Sequence, residues 1–142
     1  AFADASLHYK ITLASANSIN LARLIPQSFY YFHAVAQYRS SASLRSEPSK
    51  IAICVPSGNF GNLTAGLMAK KMGLPISRLI AATNVNDIVP QYLTNGKYEP
   101  RVSKQTISNA MDVGSPSNFP RMLELSANNT NDLKNDLVGY SF

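Results

Sequence analysis

The chain has 142 residues, 45 % of them apolar, with 13 lysines and arginines against 8 acidic residues and a net charge of +5. That length suits one domain, and that composition excludes a disordered chain. No apolar run approaches the roughly 20 residues of a membrane span, and Ala1-Phe2-Ala3-Asp4-Ala5 lacks a basic region followed by an apolar core, so a soluble, cytoplasmic protein is expected.

Leu21, Leu24, Ile25, Phe29, Phe32 and Val35 recur at helical spacing. They predict a helix over 20–38 with one apolar face, its start capped by Asn17 or Ser18. Pro26 has no N–H to donate, so the helix kinks there or begins properly only after a preliminary turn. The segment 39–49 is rich in Ser and Arg, contains Pro48 and lacks periodicity, and it is expected to be a flexible surface connection.

Lys50 to Val55 is an apolar run after its first residue and predicts a strand covered on both faces. Cys54, the single cysteine, reads as a packed hydrophobe inside it rather than a catalytic thiol, and an internal disulfide is excluded. Gly58 and Gly61 permit tight backbone geometry after the strand. Leu63, Leu67, Met68 and Met72 then mark a helix that Gly73 ends. A strand running through a tight turn into a helix directs free N–H groups and the positive dipole end at the turn, which is a way of holding a phosphate. Gly66 costs that helix about 1 kcal/mol relative to alanine, which close approach of another element or a ligand would offset.

Arg78 to Thr83 predicts a second strand, and the spacing suits one β-α-β crossover with parallel pairing. Asn84 is placed to cap a helix over 85–94, with Asp87 as a capping-box acid and Gly96 at the exit. Ser117 is placed to cap a helix through Phe119, Met122 and Leu125, and a last short helix is expected over 132–138. There are no internal repeats. The expected fold class is α/β, a partial parallel sheet flanked by helices, with the ligand turn at the carboxyl end of the first strand. Absent neighbouring strands would leave apolar edges that favour self-association.

The glycines at 58, 61 and 66 make neither a dinucleotide fingerprint nor a Walker A loop. Ser57, Asn59 and Asn62 supply neutral donors suited to a dianion already balanced by a helix end. The same residue types are ordinary turn formers, so this pattern alone leaves a purely structural turn open. The basic residues are scattered, with no long basic run and no interleaved aromatic stripe, which argues against nucleic acid. His8 and His33 lack a second ligand at useful spacing, so no metal site is expected.

Several blocks follow one another in order: Ser15-Ala16-Asn17-Ser18-Ile19-Asn20 with Arg23, Tyr30-Tyr31-Phe32, Ala34-Val35-Ala36-Gln37, and Val55 through Gly66. Ala81-Ala82-Thr83-Asn84-Val85-Asn86-Asp87, Val89-Pro90, Ser108-Asn109-Ala110-Met111-Asp112 and Phe119-Pro120-Arg121 complete the series. Together, over residues 8–125, they resemble the threonine synthases. These are pyridoxal-phosphate enzymes of fold type II that convert O-phosphohomoserine and water to threonine and phosphate. The resemblance implies a piece of their three-layer large domain, with pyridoxal 5'-phosphate as cofactor and O-phosphohomoserine as small-molecule substrate.

It further implies that Ser57, Gly58, Asn59, Phe60, Gly61 and Asn62 hold the cofactor phosphate. Ser18 and Arg23, with Asn62 as a third position, match those that hold the substrate phosphate. The plainer alternative makes Ser18 only a cap and Arg23 a solvated surface charge. Asp87 and Asp112 read as structural acids, and only the resemblance turns Asn109 toward a substrate.

Threonine synthases are several times longer, with the Schiff-base lysine in an earlier segment beside phenylalanine and aspartate and the hydroxyl partner of the pyridine nitrogen in a later one. The lysines of this chain stand in other contexts. The chain is accordingly expected to be a central piece, one partial domain over 1–142. It would have no catalytic residue of its own, depend on the remainder of the parent enzyme and be inactive alone. Two further readings are another fold-type II enzyme, such as a dehydratase or cysteine synthase, whose substrate does not need Arg23, and a small non-catalytic phosphate-binding domain.

Overall fold

The computed structural model describes residues 4–14, 17, 20–41 and 50–142. Ser18 and most of the 39–49 connection lie outside the described residues. A short helix α1 (Ala5–His8), capped by Asp4, precedes the long helix α2 (Leu21–Ser40). Asn20, not Asn17, caps α2, its Oδ1 accepting the Ala22 N–H at 3.0 Å. Pro26 sits inside a helix that continues through it, and Arg39 and Ser40 extend the helix two residues beyond the expected end. Its buried stripe is Leu24, Ser28, Tyr31 and Val35, whereas Leu21, Ile25 and Phe29 are exposed. The stripe at i, i+4, i+7 and i+11 is chosen by what fits against the next helix, and two of its members are polar or amphipathic.

Strand β1 (Ile51–Pro56) leads into α3 (Gly61–Lys71) and returns as β2 (Ile76–Thr83), paired parallel to β1 with Cys54 opposite Ile80 and Val55 opposite Ala81. Then follow α4 (Ile88–Asn95), a 3-10 turn (Asn109–Met111), α5 (Phe119–Leu125), α6 (Thr130–Asp136) and β3 (Leu137–Ser141). The sheet is fully parallel in the order β1-β2-β3. The helix expected to reach residue 138 stops at Asp136, and the chain enters β3 directly. Gly139 hides this strand in the sequence because glycine weakens a strand pattern. Here it admits α4, since a Cβ at Gly139 would stand 2.6 Å from the Pro90 Cα.

Register places Val55, Ala81 and Gly139 on one face of the sheet, together with Leu79 and Leu137. That face carries the core, completed by Leu24, Leu63, Leu67, Met122 and Leu133 from the helices. On the alternate positions Ala52, Cys54, Arg78 and Tyr140 are exposed. β1, expected to be covered on both faces, is therefore covered on one, and Cys54 is exposed rather than packed. As an edge strand it has a neighbour on one side only. Lys70 of α3 pairs with Asp136 of α6 at 2.7 Å, and Phe119 stacks on Tyr98 and meets Tyr92 edge-on, tying α4 to α5.

The helix expected over 85–94 starts later, because Asn84 is used elsewhere. Its Oδ1 accepts the Asn86 N–H at 3.0 Å, and its Nδ2 reaches Thr106 Oγ1, Ser108 Oγ and Asp112 Oδ1. Asn86 adds contacts to the Lys104 backbone, so the loop before α5 is fastened over the carboxyl end of β2. The Thr106 hydroxyl chiefly holds the Asp112 carboxyl below its usual range; burial opposes this, and the Thr106 N–H and Asn84 add to it. Among the described residues no helix is long and apolar enough to cross a membrane, and no cluster of His, Cys, Asp and Glu could hold a metal.

Two outcomes are expected. Gly139→Ala forces β3 from α4 and lowers stability by about 1–3 kcal/mol as overpacking does; an unchanged urea midpoint would contradict the packing. Because Asp112 is depressed in the folded state, its contribution is complete above the unfolded carboxylate value near about 4 and is lost as pH falls through the folded value. Amide protection factors in residues 104–112, taken relative to the intrinsic rate at each pH, should therefore fall below that range, and Asp112→Asn should flatten this acid dependence.

Candidate anion site

The chain passes from β1 to α3 in four residues, Ser57 to Phe60. Ser57 is buried; its N–H donates to the Ala82 carbonyl at 2.8 Å and its hydroxyl to the Val55 carbonyl at 2.9 Å. Neither Gly58 nor Gly61 adopts a positive φ; the left-handed residue is Phe60, at φ 61° with its ring buried. Gly58 serves a different need, because a Cβ there would lie 2.6 Å from the Met111 Cα, where the 3-10 turn crosses the turn between β1 and α3. The Phe60 carbonyl accepts both the N–H and the hydroxyl of Thr64, at 2.9 and 2.6 Å, which starts α3.

Among the described residues no side chain caps α3. Its N-terminal mouth opens on a cavity of about 330 Å³ lined by Ser57–Asn62 from the turn and by Arg23, Gln27 and Tyr30 from α2. Among the described residues of this lining Arg23 is the one that carries a charge, and it shares the cavity with the N-terminus of α3. Gln27 Oε1 is buried without a hydrogen-bond partner among the described residues. Such an atom is costly unless a further group meets it or the amide turns its N–H side into the cavity. Arginine, amide and backbone N–H donors around a space that admits a phosphate suit a phosphate group.

The structure thus brings Arg23 to the same cavity as the six turn residues. The side chains nevertheless divide their work. Asn59 accepts the Ser117 N–H at 2.6 Å and donates to the Ser117 hydroxyl at 2.8 Å, so its amide fastens the turn to the start of α5. Fully buried Asn118 donates to the Asn59 carbonyl at 3.0 Å and accepts from Arg121 at 2.6 Å. Ser117, expected as a cap for α5, is engaged by the turn instead. Asn62 is exposed at the cavity, and its Oδ1 lies 2.7 Å from the Tyr31 hydroxyl.

Asp87 pairs with Arg101 at the start of α4, away from this cavity, and Asp112 lies in the loop network. Gln27, Tyr31, Asn118 and Arg121 were not singled out as site residues from sequence. Gly66, an unexplained glycine inside a helix, was the available signal for Tyr31, because it asks what large group comes close.

No protein-family model matches the chain. It is 52 % identical over 133 residues to the threonine synthase of Haemophilus influenzae, covering 94 % of this chain and 30 % of that protein. With the threonine synthase of Escherichia coli strain K12 the identity is 52 % over 125 residues, 88 % of this chain and 28 % of the other. The chain therefore spans about 30 % of the length of these curated relatives. Among solved structures, a threonine synthase from Brucella melitensis with PLP bound superposes with a TM-score of 0.82 at 33 % identity, covering 99 % of this chain and 34 % of that one. The Escherichia coli threonine synthase gives 0.81 at 48 % identity, with 99 % and 32 % covered. In both sequence and fold, the chain belongs with the threonine synthases.

Proposed function

We propose that this chain supplies the anion-holding part of a threonine synthase, the enzyme that converts O-phospho-L-homoserine and water to L-threonine and phosphate. In this reading Ser57, Gly58, Asn59, Phe60, Gly61 and Asn62 hold the phosphate of pyridoxal 5'-phosphate, and Arg23 with Ser18 and Asn62 holds the phosphate of the substrate. The observation that carries it is the shared cavity, in which Arg23 on one wall faces the uncapped mouth of α3 on the other. Likeness to a relative solved with PLP bound supports the identity of the first anion. The part given to Ser18 rests on that likeness alone.

When bound, pyridoxal phosphate supplies an electron sink for carbanion chemistry. The residues of this chain bind and orient. Backbone N–H groups at the mouth of α3 offer fixed dipoles that need no reorganisation. Asn59, its amide occupied by Ser117, contributes to phosphate through its main chain, and Ser57 braces the turn. Arg23 on α2 offers a bidentate fork, so two anions on opposite walls would be held at a fixed separation, which is an orientation effect. No residue of the chain is assigned a proton-transfer role, and turnover would need the remainder of the parent enzyme.

Titration of the 142-residue chain with pyridoxal 5'-phosphate and with inorganic phosphate should show saturable binding of both. Arg23→Ala should weaken phosphate binding about tenfold or more, as loss of a hydrogen bond from a charged group does. Binding unaffected by Arg23→Ala would contradict the role given to Arg23. With O-phosphohomoserine and added cofactor the chain should form no threonine; measurable turnover would overturn the division of labour proposed here.

A further inference from the structure

Tyr31 is nearly fully buried, and it meets α3 where that helix has no side chain. A Cβ on Gly66 would stand 2.7 Å from the Tyr31 ring and 2.9 Å from its hydroxyl, so only glycine lets the ring lie there. The hydroxyl reaches one turn up α3 and lies 2.7 Å from Asn62 Oδ1 and 2.9 Å from the Asn62 carbonyl. Burial also pushes the Tyr31 phenol above its ordinary value, so it keeps its proton and acts as a donor at neutral pH.

We infer that Tyr31 is the positioning residue of the anion site, acting through Asn62. A side-chain amide has an acceptor end and a donor end. With its oxygen held by the Tyr31 hydroxyl, Asn62 presents its NH2 group to the cavity it lines, which is the polarity an anion needs. The same contact fixes the two walls relative to each other. Arg23 lies eight residues before Tyr31 on α2, about 12 Å along the axis, while Asn62 opens α3. One hydroxyl thus orients a ligand and sets the span between it and Arg23. Gly66 is the space that makes this contact fit. This inference rests on the phosphate reading of the cavity.

The test is a double-mutant cycle on the 142-residue chain, with inorganic phosphate as the probe and thermal unfolding measured in parallel. Tyr31→Phe keeps the ring against Gly66 and removes only the hydroxyl. It should weaken phosphate binding about tenfold, Asn62→Ala should weaken it similarly, and the double variant should bind no more weakly than Asn62→Ala alone. In NMR spectra the Asn62 side-chain NH2 signals should shift on adding phosphate to the wild type and should not do so in Tyr31→Phe. This holds as a separate readout if the variant is less stable. Wild-type affinity in Tyr31→Phe, or fully additive losses, overturns the inference. If Arg23→Ala still weakens binding in that case, the phosphate reading stands. A wild-type chain that binds neither inorganic phosphate nor pyridoxal 5'-phosphate overturns both.

Discussion

The left-handed backbone at Phe60 is the constraint on which the rest of the site depends. A non-glycine residue in this region costs roughly 1–2 kcal/mol, and burying an aromatic ring returns roughly 1.5–3 kcal/mol. Phe60 does both, with φ 61° and its ring in the core. The ring acts as an anchor that holds an unfavourable dihedral in place. That dihedral reverses the chain between β1 and α3 within four residues, and it leaves the first turn of α3 without a side-chain cap. A conventional capping residue at this position would fill with its own oxygen the place that the proposed function gives to an anion's oxygen.

Around this reversal the structure builds from several directions. The 3-10 turn crosses Gly58, the Asn59–Ser117 and Asn118 contacts fasten the turn to α5, and Tyr31 brings α2 onto α3. Each contact comes from a distant part of the sequence, so the cavity wall is over-determined. That is the arrangement expected where donors must stand ready rather than reorganise as charge arrives. The loop network of Asn84, Asn86 and Asp112 does similar work at the carboxyl end of β2. It also supplies the 3-10 turn that abuts Gly58, which links a surface loop to the ligand turn.

Legibility in the sequence followed the range of the interaction involved. The exits of α3 and α4 were readable because Gly73 and Gly96 carry φ of 97° and 76°, a local demand that only the residue itself reveals. β1 and β2 were readable as apolar runs. β3 was not, since Gly139 breaks its pattern for the sake of Pro90, nearly fifty residues away. The exposure of Cys54 is not legible, because an apolar run does not say whether both faces of its strand are covered. At the cavity, resemblance and local pattern named the turn residues and Arg23, which line it together. The braces Tyr31, Asn118 and Arg121 were not named, because each acts across a long chain separation.

The central claim is that the mouth of α3 and Arg23 on the facing wall each hold an anion. It is tested most directly by mapping backbone amide and arginine side-chain NMR shifts of the labelled chain as pyridoxal 5'-phosphate or inorganic phosphate is added. The account expects pyridoxal 5'-phosphate to move Gly61 and Asn62 most, saturably and with reversal by excess inorganic phosphate, and expects inorganic phosphate to move the Arg23 side chain as well. Changes confined to other surfaces, such as the Asp87–Arg101 region, with Gly61 and Asn62 unmoved, would contradict it.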